Sequence, residues 1–279
     1  MTDGQIARVG IDGTVLPAEI DPNKPSIARV YDYMIGGKQH FAIDREVSKA
    51  LFRAVPEVPQ LGRYARTTML RSVRWLVSEA GIDQVVDLGS GLPTAGNVHE
   101  IALECNPDTR VVYVDNDAIV LAHARALLAN HEHVTVIQAD IRDVDDVFAN
   151  PELLRLIDLD RPFAVVAAGI LHHLSDESAR ATTKGLRAKL SPGSYLMSAN
   201  FLDDDEPRAK RLEQAFLEGG LGTGRFRTWA ELGEFFEGLE VVEPGIVYAD
   251  EWRPDSDTPT KSPVQTLYAA GIARKPATA

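Results

Sequence analysis

Three aspartates and a histidine pair stand where a chain could use them on a ligand. Asp87 lies within the run Val85-Val86-Asp87-Leu88-Gly89-Ser90-Gly91, which reads as a short buried strand running into a glycine turn. Gly89 and Gly91 allow that turn to be sharp and let the backbone come close to a ligand. Asp115 ends a second apolar run, Val111-Val112-Tyr113-Val114, roughly 20 or so residues downstream, where a ribose-binding acid is expected. A carboxylate there can accept hydrogen bonds from both ribose hydroxyls. Asp140 follows a third run, Val134-Thr135-Val136-Ile137, where it could accept from an adenine amino group; its plainer reading is a turn cap before Arg142. His172-His173 follow a fourth run, 163–167, just past Ala168-Gly169. Imidazole can take a proton from a hydroxyl or amine near neutral pH. The plainer reading is a partly buried, satisfied histidine pair.

The elements that must position these groups alternate. Strand patterns near 85–88, 111–114, 134–137, 163–167 and 195–197 are separated by helical stretches at 97–104, 118–129, 151–159 and 176–190. A βαβ series of this kind implies a parallel sheet with helices on both faces, and ligands bind beyond the carboxyl ends of its strands. After helices near 207–218 and 228–237 come strand patterns at 240–248 and 266–273 with no helix between them, so these should pair antiparallel. The connection 249–265 is rich in Pro, Asp and Ser and longer than most hairpin loops, a length often functional or mobile. Three helices precede the first strand. Ser26 caps the first, with Ile27, Val30, Tyr31 and Met34 at helical spacing and Gly36-Gly37 as its stop. Asp44 caps the second, and the third spans about 61–80. The expected organisation is an arm over 1–24, a helical cap over 25–80 and a cofactor-binding domain over 81–279.

The bulk properties narrow the partners. The chain has 279 residues, 44% hydrophobic and 25% charged, with a formal net charge of −12. That balance argues against an extended nucleic-acid or anionic-membrane surface and favours a small molecule or a protein as partner over bulk nucleic acid. A single cysteine, Cys105, excludes an intrachain disulfide. With no apolar run of signal-peptide or membrane-spanning length, a cytoplasmic protein is expected. His131-Glu132-His133 has no obvious further ligands and reads as a solvated loop, so no metal is expected. Asp143, Asp145 and Asp146 read as a solvated acidic loop. Trp252-Arg253 suits either a substrate pocket or simple surface packing.

The turn after Asp87 matches only part of the dinucleotide fingerprint. Its third glycine position is Thr94, preceded by Pro93, where a pyrophosphate site normally needs Gly or Ala. A nucleoside cofactor without phosphates has no such need, and S-adenosylmethionine is one. The order of elements with its antiparallel end resembles class I S-adenosylmethionine-dependent methyltransferases. More narrowly, the block 25–38 (PSIARVYDYMIGGK), Asp44-Arg45-Glu46, the segments 87–94 and 97–100, Tyr113-Val114-Asp115-Asn116-Asp117, Leu171-His172-His173 and Trp252-Arg253-Pro254-Asp255 resemble a bacterial S-adenosyl methyltransferase family whose substrates are poorly defined. The chain departs from the commoner form at Gln39-His40. The resemblance implies an α/β, Rossmann-like, seven-stranded and mostly parallel sheet with an antiparallel last strand, and S-adenosylmethionine as cofactor with S-adenosylhomocysteine as product. It supplies no acceptor.

The cofactor-binding set expected on these grounds is Tyr33, Gly36, Gly37, Lys38, Arg66, Asp87, Gly89, Ser90, Gly91, Asp115, Asn116, Asp140, Ile141, Ala168 and Gly169. Within it, Tyr33, Gly36, Gly37 and Lys38 are expected as a lid over the cofactor, against the plainer reading of an amphipathic helix with a glycine stop. Arg66 is a candidate for the methionine carboxylate, since a guanidinium suits a carboxylate fork. Asp140 and Ile141 would flank adenine. His172 and His173 are the catalytic candidates, although methyl transfer needs mainly alignment and can proceed without a base. Two other readings compete: a cofactor-binding sensor with no transferase activity, and a nucleotide-dependent oxidoreductase, which Thr94 and the antiparallel end disfavour.

Overall fold

A computed structural model describes residues 20–93, 96–128 and 131–277. Most of the expected arm, and Thr94, therefore lie outside the described residues. Five strands with buried apolar faces, β1 (Gln84–Leu88), β2 (Arg110–Asp115), β3 (Val134–Gln138), β4 (Ala164–Ala168) and β5 (Tyr195–Phe201), pair in parallel in the order β3-β2-β1-β4-β5. Each is covered on both sides, so each reads as a nearly continuous apolar run. Alternate residues serve opposite layers: Val85, Val111 and Val166 join the core on one face, and Val86, Val112 and Val165 join the core on the other.

The sequence continues beyond β5 through α9 (Pro207–Glu218) and α10 (Trp229–Glu234). The final strand, β8 (Tyr268–Arg274), then returns antiparallel to β5, with Phe201 opposite Tyr268. Its outer edge carries two short strands, β6 (Glu240–Val241) and β7 (Val247–Tyr248), both antiparallel. Eight segments thus fill seven positions. The outermost is split at Pro244, a residue with no N–H to give a ladder.

The helices pack as the periodicity requires, with two differences. On one face lie α3 (Val58–Ser78), α4 (Val98–Cys105) and α9; α5 (Ala118–Leu128) contributes Leu121 and Ala124 to the same core. The side chains on the inner face of α3, Tyr64, Ala65, Thr68, Val73, Leu76 and Val77, are all buried. On the other face lie α6 (Val144–Ala149), α7 (Pro151–Leu156), α8 (Asp176–Lys189) and α10. The expected acidic loop at 143–146 is in fact the start of α6: Asp143 is its N-cap and Asp145 and Asp146 occupy its first turn, where the helix dipole favours carboxylates. The 249–265 connection is pinned down. Arg71 Nη2 donates to the Ala249 carbonyl at 2.6 Å and the Asp250 N–H donates to Tyr64 Oη at 2.6 Å. Trp252 is fully buried edge-on to Trp75, and Arg253 lies over the Trp75 ring at 4.7 Å. That pair packs on α3 and does not line the cavity described below.

The cap is organised by one buried carboxylate. α1 (Ile27–Met34) and α2 (Ala42–Ala54) meet at Asp44, which accepts from Arg29 Nε at 2.7 Å, the Phe41 N–H at 2.7 Å and the Ser26 N–H at 3.1 Å. Ile20 is buried with Phe41, Leu92, Ile119 and Val120, so the chain is already packed before residue 25. Among the described residues no helix is long and apolar enough to cross a membrane. Removing the Asp44 carboxylate leaves the buried Arg29 charge uncompensated, which costs ~3–5 kcal/mol. At ~2–4 °C per kcal/mol for a chain of this size, Asp44→Ala should melt roughly 6 °C or more below the native protein in a thermal scan followed by circular dichroism; an unchanged midpoint would contradict this role.

Candidate functional site

Strand order reverses around β1, which pairs with β2 on one side and β4 on the other. The crevice beyond the carboxyl ends at such a switch point is where open α/β sheets bind ligands. Here it opens into a cavity of about 440 Å³, within the ~300–1,000 Å³ usual for small-molecule sites.

Its floor is the turn after β1. Gly89 has φ +68°, and a Cβ there would lie 2.5 Å from Ile170 Cδ1, so both conformation and close approach demand glycine. The Gly89 and Ser90 N–H groups both donate to the Val114 carbonyl, at 2.8 and 3.3 Å. The Gly91 N–H donates to Asp115 Oδ2 at 2.9 Å. The Gly89, Ser90 and Gly91 N–H groups are therefore engaged inside the protein, beside two carboxylates that would repel a pyrophosphate.

Those carboxylates, Asp87 and Asp115, are both buried. Burial pushes Asp87 up to about 7 from the ordinary 3.8; Arg66 opposes the shift and Asp115 adds to it. Burial also raises Asp115, opposed by N–H donors from Asp117 and Gly91. Asp115 Oδ1 accepts from the Asp117 N–H at 2.9 Å, so each oxygen holds one backbone donor and retains capacity for another. Arg66 reaches the site from α3 and donates from Nη2 to the Gly96 carbonyl at 2.8 Å. The roof is α1. Ser26 Oγ donates to Asp117 Oδ2 at 2.5 Å, tying the cap to the end of β2, and Tyr31 Oη donates to the Gly62 carbonyl at 2.8 Å.

The other end is aromatic. Gly169, at φ +71°, follows β4; a Cβ there would sit 3.5 Å from Tyr268 Oη and 3.8 Å from His172 Cε1. His172 and His173 lie in a 3-10 turn, 171–173. The His172 ring stacks on Phe201 with centroids 3.9 Å apart at 22°, and His173 meets Phe216 edge-on at 5.9 Å. The turn is held from behind: Arg227 donates to the Leu171 and Leu174 carbonyls at 3.0 and 2.9 Å, and Thr223 Oγ1 and the Arg225 N–H both donate to the His172 carbonyl at 2.7 Å. Burial lowers His172 well below its ordinary value, with His173 and Arg227 adding to the effect, and burial brings His173 down to about 4. Nδ1 of each ring is shielded and has no hydrogen-bond partner among the described residues. Neither ring therefore has on its Nδ1 the carboxylate or carbonyl that would stabilise an imidazolium.

The expected residues divide accordingly. Arg66, Asp87, Gly89, Ser90, Gly91, Asp115, Asn116, Ala168, Gly169, His172 and His173 all line the cavity. Tyr33, Gly36, Gly37 and Lys38 do not, which corrects the expected lid. Tyr33 packs against Phe52 and His40. Gly36 and Lys38 are exposed. A Cβ on Gly37 would collide with Asp32 Oδ1 at 1.9 Å. The face of α1 that covers the cavity includes Ile27, Tyr31 and Met34, the residues that stand at helical spacing in the sequence. Asp140 is also off the wall. It is spent on its own turn, accepting from the Arg142 N–H at 2.9 Å and pairing with that guanidinium at 2.5 Å, while Ile141 is buried in the core of the opposite layer. Sequence reasoning missed Asp117, Phe201, Phe216 and Tyr268. For Phe201 and Tyr268 the signal was available, since both stand at the strand ends that border the crevice.

A family model described as S-adenosyl methyltransferase matches residues 13–276. A candidate methyltransferase from Thermobifida fusca YX superposes with a TM-score of 0.89 at 43% identity, covering 94% of this chain and 98% of that one. A DUF574 family protein from Streptomyces avermitilis MA-4680 gives a TM-score of 0.87 at 39% identity, over 92% and 99% of the two chains. An O-methyltransferase family protein from Burkholderia thailandensis, 15% identical, shares the fold alone, with a TM-score of 0.54 over 83% of this chain and 63% of that one. No curated protein matches the chain.

The Asp87 shift fixes a sign. Its folded pKa of about 7 stands above the ordinary 3.8, so its contribution to stability is intact below about pH 4 and is lost as pH rises through about 7. Asp87→Asn removes that loss. The variant's melting temperature should gain on the native protein between about pH 5 and pH 8, by a few degrees at ~2–4 °C per kcal/mol. A difference that stays flat or shrinks over that range would contradict the buried, proton-holding carboxylate.

Proposed function

The chain belongs to the S-adenosyl methyltransferase family, and from that premise we propose that it binds S-adenosylmethionine beyond Asp87 and catalyses methyl transfer to a small-molecule acceptor. When bound, the sulfonium supplies an electrophilic methyl group. The residues present fit such a cofactor. Asp115 keeps acceptor capacity on both oxygens for the ribose hydroxyls. Asp87 is a buried carboxylate suited to the cationic amino group. Arg66 stands beside Asp87 for the carboxylate of the same amino acid. Gly89, Ser90 and Gly91 make room for that part, and Asn116 and Asp117 wall the nucleoside side. The observation that carries the reading is the pair of buried carboxylates at adjacent strand ends, above a turn whose Gly89, Ser90 and Gly91 N–H groups are already engaged. That site suits a phosphate-free, cationic nucleoside and opposes a pyrophosphate.

The remaining walls serve alignment and exclusion of water. The cap, hooked to Asp117 through Ser26, closes over the nucleoside side. The turn bearing His172 and His173 and the Phe201–Tyr268 pair close over the acceptor side. Holding the reactants in line within a dry cavity supplies much of what this reaction needs.

Titration calorimetry tests the proposal. S-adenosylmethionine and S-adenosylhomocysteine should bind and NAD should give no heat; binding of NAD alone would overturn it. Asp115→Ala loses hydrogen bonds to a charged acceptor worth ~1.5–3 kcal/mol, so affinity should fall roughly 10- to 100-fold. An ammonium placed beside Asp87 lowers that carboxyl from its value of about 7. Binding at about pH 6 should therefore release a proton, seen as a dependence of the heat on buffer ionisation enthalpy. The release should vanish at about pH 8 and in Asp87→Asn.

A further inference from the structure

We infer that the acceptor is a flat, apolar aromatic compound whose hydroxyl enters the site already ionised, and that His172 meets the resulting oxyanion as a hydrogen-bond donor. The inference rests on the methyl-transfer reading above and concerns the opposite end of the cavity.

That end of the cavity is walled by rings. The His172 ring lies against Phe201 at 3.9 Å and 22°, Phe216 stands across from His173, and Tyr268 lies opposite Phe201 across the β5–β8 pair. The two phenol hydroxyls nearby are committed to carbonyls, Tyr31 to Gly62 and Tyr268 to Ala199 at 3.2 Å. The acidic and basic side chains on the cavity wall belong to the cap and the cofactor side. Apolar and ring contact therefore dominate recognition, with the His172 imidazole as the polar side chain on offer, since His173 already bonds the Leu221 backbone.

The chemistry of His172 then decides the state of the nucleophile. The groups facing its ring are His173 on the same turn, the Arg227 guanidinium behind it, which is paired with Asp176 at 3.2 Å, and the Tyr268 phenol from β8. None offers a negative charge to an imidazolium, and burial disfavours that cation further. Nδ1 is sealed from the cavity without an acceptor for a proton. The neutral ring therefore carries its proton on Nε2, the nitrogen available to a ligand, and presents a donor. A neutral phenol would have to lose a proton during transfer, and no group here is built to take it. An amine needs no such loss but would leave a new cation at an end of the cavity with no carboxylate among the described residues to meet it. An ionised hydroxyl has neither difficulty. Its oxygen lone pair forms the new O–C bond while the C–S bond breaks, and that bond's electron pair stays on sulfur. Anion and sulfonium become a neutral ether and a neutral thioether. A dry, low-dielectric wall favours a step that cancels charge.

The probe is 4-nitrophenol, which ionises near neutral pH and turns yellow as the phenolate. It is titrated by absorbance onto protein saturated with sinefungin, an S-adenosylmethionine analogue that carries a protonated amine in place of the sulfonium methyl. Bound probe should show the phenolate band at a pH at least one unit below the free compound. 4-Nitroaniline, of matching shape but neutral, should bind at least tenfold more weakly. His172→Phe keeps the stack and should abolish the shift, and His172→Gln, which restores a donor, should recover part of it. If sinefungin fails to bind by calorimetry, the cofactor reading itself falls. If sinefungin binds but the nitrophenol binds as the neutral phenol, binds no better than the aniline, or shifts equally in His172→Phe, the inference about the acceptor is overturned.

Discussion

Two carboxylates held out of water at neighbouring strand ends are the constraint around which this molecule is arranged. Asp87 and Asp115 stand at the carboxyl ends of β1 and β2, whose parallel register brings them into one crevice. Burial works against the charge on both; Asp115 adds to the cost at Asp87, and Asp117 adds to it at Asp115. Asp115 is steadied by backbone donors from Gly91 and Asp117. At Asp87 the Arg66 guanidinium is what opposes the effect of burial. A fold tuned for stability alone would put an apolar residue at Asp87. Keeping a half-protonated carboxyl there makes sense if a cation arrives to share it.

The rest of the structure serves that crevice from two sides. Arg66 is placed by α3, a helix of 21 residues locked to the sheet by its buried face and to the C-terminal loop through Arg71 and Tyr64. The cap is built on Asp44 and latched to the nucleoside side by Ser26 and Asp117. Opposite it, Arg227, Thr223 and Arg225 clamp the carbonyls of the histidine turn. That clamp fixes where the rings lie, yet it brings a guanidinium behind His172. Burial is what chiefly keeps the imidazole neutral, and the contacts that position it add a positive charge to the same effect.

Much of this was legible in the sequence, for identifiable reasons. Parallel strands buried on both faces must be apolar runs, and an aspartate at the end of such a run is conspicuous; hence Asp87 and Asp115 were found. The same rule failed at Asp140, because it cannot see that Arg142, two residues on, folds back to consume the carboxylate. The block around Tyr33 was distinctive for packing reasons. Gly37 must lack a side chain to sit against Asp32, and Tyr33 points nearly opposite Tyr31 on a helix advancing about 100° per residue. Phe201 and Tyr268 are far apart in the chain, and only the antiparallel return of β8 brings them together. The state of His172 depends on Arg227 and on an unpartnered Nδ1, neither of which local spacing reveals.

The most direct test of the account is a crystal structure of the protein grown with S-adenosylhomocysteine. The account predicts both ribose hydroxyls within hydrogen-bond distance of the two Asp115 oxygens and the amino group against Asp87. The sulfur should face the gap between Gly169 and the His172 ring. A ligand whose ribose bypasses Asp115, or whose sulfur points away from the aromatic end, would contradict it.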